Sequence, residues 1–307
     1  MFNGLHYNSI SSWLKNRFGC RVVKLSLNAG LTCPNRDGTK GTGGCTFCSE
    51  DGSGRFAVDI NEQILTAKRK WQTEDIRFIA YFQSFTNTYA PAEKLRKLWS
   101  DALEQDDVVG LAVATRPDCL GPDILDLLEE FNNRTFLWVE LGLQTANEDT
   151  ADNFNRCWKN ADFEKAMKDL SSRGIKCVIH LILGLPGENR EQYISSAEYA
   201  ASFDPFGIKI HMLHLMEGTA MGRQFKTEPF SLLSQQGYVD SVCDILERVP
   251  QNITVHRLTG DAPGDTLIAP EWTRNKHSVL NSIQREFKRR GTYQGYLINH
   301  AHDHRDL

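Results

Sequence analysis

The sequence predicts an α/β fold: a parallel sheet curled into a partial (β/α)6 TIM-like barrel, followed by a C-terminal extension. Three observations point there. Short stretches rich in branched and aromatic residues alternate six times with stretches of helical spacing between residues 21 and 215, the pattern of parallel strands joined by crossover helices. At 307 residues and 40% hydrophobic content, the chain can bury one barrel-sized core plus an addition rather than several small cores. No internal repeat or low-complexity segment suggests another architecture. The expected division is residues 1–225 for the barrel, with a cysteine-bearing loop at 32–54, and residues 226–307 for an extension of helices and a strand covering the barrel mouth.

Taken in order, residues 21–28 (Arg-Val-Val-Lys-Leu-Ser-Leu-Asn) alternate and are rich in branched side chains, so they form the first strand and deliver the chain into the cysteine loop. Residues 61–72 read as a helix, and residues 76–83 (Ile-Arg-Phe-Ile-Ala-Tyr-Phe-Gln) as a buried strand. Helices follow at 92–103, 122–131 and 190–202, and at 149–173 with a break; strands follow at 108–115, 135–143, 176–183 and 207–215. The extension reads as a helix at 236–248, a strand from Ile253, and a helix at 276–290. A barrel of this kind carries its chemistry on the loops after its strands, so the active end is the one that bears the cysteine loop.

That loop, Thr32 to Gly54, gathers three of the eight cysteines within glycine-rich sequence. Cys45 and Cys48 form a Cys-x-x-Cys pair, and Cys33 lies twelve positions upstream across Gly38, Gly41, Gly43 and Gly44, which can bend sharply at little steric cost. Three thiolates are one short of the four that close a structural zinc or an ordinary cubane site. A [4Fe-4S] cluster held by three cysteines leaves one iron open to a small molecule, for which S-adenosylmethionine (SAM) is the candidate. The residues alone leave two alternatives: a three-cysteine zinc site completed by a histidine or carboxylate, or a redox pair of Cys45 and Cys48. Cys20, Cys119, Cys157, Cys177 and Cys243 are scattered and read as small buried apolar residues.

The segment from Cys33-Pro34-Asn35-Arg36-Asp37-Gly38 to Gly44-Cys45-Thr46-Phe47-Cys48 resembles the cluster loop of the YhcC/YtqA-type radical SAM proteins, relatives of the Elp3-like and coproporphyrinogen-dehydrogenase-like radical SAM enzymes. The first gap is longer than the three residues of the commonest radical SAM motif. Thr115-Arg116-Pro117-Asp118 matches the Thr-Arg-Pro-Asp of the Elp3-like relatives, Glu140-Leu141-Gly142-Leu143-Gln144-Thr145 their Glu-Leu-Gly-Val-Gln-Ser, and Gly184-Leu185-Pro186-Gly187 the turn of the coproporphyrinogen-dehydrogenase-like enzymes. Asn155-Arg156-Cys157-Trp158 follows an Asn-Arg-x-His pattern, with Trp158 in place of the histidine. The tail beyond Ile253 resembles the family's C-terminal extension.

The resemblance implies a barrel of the radical SAM type with a [4Fe-4S] cluster on Cys33, Cys45 and Cys48, and with SAM cleaved to a hydrogen-abstracting 5'-deoxyadenosyl radical. It implies SAM contacts at Gln83, Ser84, Thr86, Glu140, Gln144, Arg156, His180, Leu183, Gly184 and His211, the Arg156 guanidinium being suited to the SAM carboxylate. Glu140 and Gln144 are expected to point into the barrel mouth. Arg116, Glu217, His256 and Arg257 are the candidate substrate residues, the last two following a strand beside the mouth. The branch further implies a tRNA substrate, its anticodon wobble uridine changing from 5-carboxymethylaminomethyl-(2-thio)uridine to 5-aminomethyl-(2-thio)uridine, and an electron donor such as flavodoxin or ferredoxin. The alternatives are a radical SAM enzyme acting on a small metabolite or cofactor precursor, and a non-catalytic zinc-dependent RNA-binding protein. Taken singly, each downstream residue has an ordinary reading: the 184–187 segment as a turn, Arg156 as a solvated cation, Tyr81, Phe82 and Trp158 as packing. Their joint occurrence in order favours chemistry.

A formal net charge of −4 announces no nucleic-acid binder, yet a local basic face can act alone. Arg285, Lys288, Arg289 and Arg290 are the expected phosphate contacts. No apolar run approaches the roughly 18 to 20 residues of a membrane span, and residues 1–12 lack the pattern of a signal peptide. Eight cysteines without one point to a reducing cytoplasm. The alternating His300, His302 and His304 are expected to form a disordered tail.

Overall fold

The computed structural model describes residues 2–49, 59–71, 75–260 and 265–300. The end of the glycine-rich loop at residues 50–54, Gln72, and the tail histidines His302 and His304 lie outside the described residues. In chain order the elements are α1 (Ile10–Phe18), β1 (Arg21–Leu27), α2 (Ile60–Lys68), β2 (Ile76–Phe82), α3 (Ala92–Leu103), β3 (Val108–Thr115), α4 (Pro122–Arg134), β4 (Phe136–Gln144), α5 (Glu148–Asn153), α6 (Asn160–Ser172) and β5 (Lys176–Leu183). There follow α7 (Arg190–Ala201), β6 (Gly207–Met212), β7 (Leu215–Met216), α8 (Ala220–Thr227), α9 (Gln235–Arg248), β8 (Thr254–Arg257), β9 (Leu267–Ala269), α10 (Lys276–Arg290) and α11 (Tyr296–Asn299).

Seven strands pair in the order β1-β2-β3-β4-β5-β6-β8, every pair parallel. The result is a curled half-barrel with β1 and β8 as its edges. Strand residues alternate between two apolar layers. Outward side chains such as Leu25, Phe82, Val113, Leu141 and Ile179 meet the helices in one large core. Inward ones at one end, Ile79, Ala112, Trp138 and Val178, meet Ile10 and Leu14 of α1. Each such buried side chain contributes about 1.5–3 kcal/mol. Helix α1 begins where the Ser9 hydroxyl accepts from the Ser12 amide and stops at Gly19, whose φ of 73° suits a residue without Cβ. Trp13 then stacks on Phe136 at 5.4 Å, so α1 plugs the amino end of the barrel and leaves the carboxyl end to the loops.

Two expectations change. The sixth strand ends at Met212 rather than Leu215, because Leu215 and Met216 leave the sheet and pair antiparallel with β9. The strand expected over the mouth is instead the seventh strand of the sheet: Thr254 pairs with Gly207, the first residue of β6, which puts β8 at the amino end. Helix α9 packs between α7 and α10 and continues the outer helical ring. No helix among the described residues is long and apolar enough to cross a membrane.

Candidate active site

The cysteine loop is folded by its own backbone and braced by one short segment. Arg36 N donates to Cys33 O at 2.8 Å, Gly44 N to Asn35 O at 2.8 Å, and Cys48 N to Cys45 O at 2.9 Å. Gly43 and Gly44 have φ of 78° and 75°, conformations that favour glycine. The fully buried Asn35 donates to Asn155 O at 2.5 Å. Asn155 returns the support, its amide donating to Thr42 O and to Gly44 O at 3.2 and 2.9 Å, and Thr46 N donates to Phe154 O at 3.0 Å. Phe47 packs on Phe154 with ring centroids 5.2 Å apart.

The three thiols sit in one electrostatic neighbourhood. Burial pushes the Cys45 thiol up to about 12; Cys48 and Cys33 add to the rise, and Arg116 opposes it. Arg116 is held by a fork on Asp118, two contacts of 2.9 Å, and its Nη1 lies 3.7 Å from Cys33 Sγ. Asn35 Nδ2 lies 3.9 Å from Cys45 Sγ. Buried thiolates need such compensation, and an anionic cluster would draw on the same donors. Among the described residues no three His, Cys, Asp or Glu side chains converge on a point that a single ion would fill. The buried Thr46 Oγ1, between two of the cysteines, has no partner. Three cysteine thiols with the Arg116 cation and the Asn35 amide beside them fit an anionic iron–sulfur cluster.

Two cysteines expected to be scattered come to the loop. The Cys119 thiol is pushed up to about 12 by burial and by Asp118, with Cys33 also contributing, and Cys157 Sγ lies beside Gly41 and 3.0 Å from Asn155 Oδ1. Cys20, Cys177 and Cys243 are buried, as the sequence suggests.

Gln83, Ser84 and Thr86 follow β2, Gln144 ends β4, and Leu183 and Gly184 end β5, all at the cysteine-loop end. Ser84 and Thr86 are buried, and Thr86 N donates to Thr32 O at 3.3 Å, joining this loop to the start of the cysteine loop. Gln144 sits at a bulge with φ of 64°, and Gly184 at φ of 90°.

Arg156 is more enclosed by protein than its expected contact with a SAM carboxylate suggests. It is 1% exposed, and its guanidinium is spent on Leu143 O, Thr145 O, Trp158 O and Asn160 Oδ1 at 2.9–3.2 Å. The side chain ties the end of β4 to the segment that braces the cysteine loop, with Trp158 stacked 3.9 Å from its Cζ.

Glu140 departs from its expected place: it lies inside the barrel, fully buried, rather than at the mouth. Its carboxylate accepts from Tyr81 Oη at 2.7 Å, Trp138 Nε1 at 3.0 Å and Lys209 Nζ at 3.0 Å, and meets His180 Nε2 at 2.7 Å. Burial alone would raise this carboxyl, but Lys209, Lys24 and His180 hold it well below the usual range. Burial, then Lys209, lowers His180 to about 4, and burial lowers Lys209 to about 8 against the pull of Glu140. Glu140 is therefore ionised beside a neutral His180. His211 lies 5.9 Å from the His180 ring, and burial holds it well below the usual histidine range.

Two candidate substrate residues, His256 and Arg257, are also relocated, whereas Glu217 lies just after β6 and β7 as expected. Glu217 is half-exposed and paired with Lys226 at 2.6 Å. His256 and Arg257 belong to β8 itself, where His256 packs edge-on to Trp138 and Phe206 at the amino end. Two members of the basic run at the end of α10 are ion-paired: Arg290 contacts Asp240, Asp244, Glu247 and Glu286, and Arg289 contacts Glu286; Arg285 donates to the Ser282 hydroxyl.

The roles of Lys24, Tyr81 and Lys209 were not read from the sequence. A signal existed for the lysines. Lys24 and Lys209 each stand at an alternate position of an apolar strand, where an inward cation demands a buried anion such as Glu140. Tyr81 passed for packing, whereas its hydroxyl joins this network.

Residues 35–200 match the Radical SAM superfamily profile, and residues 205–289 match the Radical_SAM C-terminal domain. The protein YtqA of Bacillus subtilis is 46% identical over 94% of this chain and 92% of its own length. A tRNA uridine(34) acetyltransferase of Dehalococcoides mccartyi is 26% identical over 52% of this chain and 35% of its own length. In structure, the archaeal Methanocaldococcus infernus Elp3 superposes with a TM-score of 0.68 at 17% identity, over 90% of this chain and 66% of that one, a likeness of fold. Family profile, full-length relative and half-barrel agree: the chain belongs to the radical SAM superfamily and, within it, to the YhcC/YtqA-type proteins.

Proposed function

We propose that the chain binds a [4Fe-4S] cluster through Cys33, Cys45 and Cys48, binds SAM at the carboxyl end of its half-barrel, and acts on a wobble uridine of tRNA. The reaction would remove the carboxymethyl part of 5-carboxymethylaminomethyl-(2-thio)uridine and leave 5-aminomethyl-(2-thio)uridine. When bound, the cluster and SAM together supply hydrogen-atom abstraction, at the expense of an electron from a reductant such as flavodoxin or ferredoxin. The chain's own residues do the rest. Arg116 sets a cation against Cys33, Asn35 and Asn155 fix the loop, and the Glu140 network ties β2, β4, β5 and β6 together inside the barrel. The observation that carries the reading is the three-thiol loop with Arg116 on it, at the barrel end where Ser84, Thr86 and Gln144 gather. The tRNA reading is supported by the relatives, one of them a tRNA uridine(34) acetyltransferase by name.

Anaerobically reconstituted protein should be brown, with absorption near about 400 nm from thiolate-to-iron charge transfer, and should cleave SAM. Mass analysis of wobble nucleosides from cells with and without the protein tests the substrate. Accumulation of the carboxymethylaminomethyl nucleoside in the deletion strain is expected; unchanged nucleosides would turn the search to small metabolites. Colourless protein that holds zinc would end the catalytic reading.

A further inference from the structure

The edge strands β1 and β8 do not pair with one another, and α1 packs against both. A cleft of about 520 Å³ enters there, lined by Ser26, Trp71, Tyr81, His256 and the N-terminal half of α1, and by the cations Lys15, Arg21, Lys24 and Arg257. Among the described residues no acidic side chain lines it. The cleft runs from the surface cations Arg21 and Lys15 to Lys24 and Tyr81, which border the Glu140 network.

Lys24 and Lys209 share one carboxylate, Glu140. Lys209 lies on Glu140 Oε2 at 3.0 Å, where Tyr81 also donates and His180 meets the same oxygen. Lys24 is left at 3.8 Å from Oε1, which already accepts from Trp138. Its side chain is 20% exposed, on the cleft side. Of the two ammonium groups that draw on Glu140, Lys24 is thus the more weakly paired, and it is the one that faces the cleft; a buried cation gains from closer pairing. The same wall holds a second incomplete group: His256, buried, has no partner for Nδ1.

We infer that this cleft seats the anionic group of the substrate, with Lys24 as its principal contact, and that the group is a single carboxylate. A carboxylate at the Lys24 ammonium would complete the pairing that Glu140 divides between two lysines, at the inner end of the cleft. The inference rests on the tRNA reading above, in which the base to be processed carries a carboxymethyl group; a backbone phosphate offers similar oxygen chemistry and is the competing source.

The test uses reconstituted enzyme and two anticodon stem-loop RNAs that differ only at the wobble base, one carrying 5-carboxymethylaminomethyluridine and the other its carboxamide. Wild type should prefer the carboxylate by at least about 30-fold in kcat/KM, since a buried charge loses its partner in the amide. Lys24→Gln should bring that ratio close to one, mainly through KM, and Lys24→Arg should restore part of it. An equal loss on both RNAs would assign the cleft to phosphate and overturn the carboxylate assignment, as would no effect on either. A second arm needs no RNA: calorimetric titration of the holoenzyme with N-acetylglycine, against N-acetylglycinamide and inorganic phosphate. If wild type turns over neither RNA yet binds N-acetylglycine at least about 10-fold more tightly than Lys24→Gln does, the tRNA reading falls and the carboxylate cleft stands. Absence of binding in both arms would sink the cleft itself.

Discussion

At the scale of the residue, two side chains show how chemistry hides behind ordinary-looking letters. The Arg156 guanidinium serves backbone carbonyls, which leave no mark in a sequence, so a motif match could only suggest a carboxylate partner. Arg156→Ala should therefore destabilise the fold, each buried carbonyl left unmatched costing about 1–3 kcal/mol. Lysine cannot restore the fork. Denaturant unfolding checks this; unchanged stability together with lost SAM affinity would return Arg156 to the cofactor. The cysteines are more legible, because three in one loop is itself a pattern. Cys33→Ala, Cys45→Ala and Cys48→Ala should each lose cluster iron and SAM cleavage. Cys243→Ala, whose thiol is enclosed between α9 and α10, should retain both. Iron analysis after reconstitution decides, and full iron in any loop variant would count against the assignment.

At the scale of the element, alternation was readable nearly to the residue: α3, β3 and β5 fall at the bounds their periodicity implies. What periodicity could not carry is the place in the sheet of β8, a strand four residues long and separated from β6 by two helices. Its membership of the sheet is decided by pairing with Gly207 and Ile208, a long-range contact. The cysteine loop shows the other side of legibility. Its glycines read as flexible, yet Gly41 is an ordinary packing position: a Cβ there would collide with Asn35 Oδ1 and lie 2.9 Å from Cys157 Sγ. Gly41→Ala should thus displace Asn35 from Asn155 and lower iron occupancy well below wild type while the secondary structure is kept. Circular dichroism with iron quantitation tests that pair of outcomes; wild-type iron content would show that the brace tolerates the displacement.

At the scale of the whole molecule, the half-barrel encloses polar groups that its sequence shows only as isolated letters on different strands. His180, His211, His214 and His256 are all lowered, first by burial: His180 and His214 to about 4, the others well below their ordinary value. In the unfolded chain each takes up a proton near about 6.5. Between about 6.5 and about 4 the unfolded state therefore binds more protons than the folded one, so stability rises with pH across that window and is lost on acidification. Each such group adds up to about 1.4 kcal/mol per pH unit. Glu140, held below its ordinary range, acts in the same direction but only below about 4.5, so the upper part of the slope belongs to the histidines. Urea unfolding at pH 7, 6 and 5, on reconstituted and on iron-free protein, should give a falling midpoint in both, which separates histidine protonation from acid loss of iron. His214→Gln should flatten the slope by about one proton, since His214 Nε2 is buried without a partner. A stability that stays level from pH 7 to pH 5 would mean that these rings are solvated or charged, and that the barrel interior is wetter than its packing indicates.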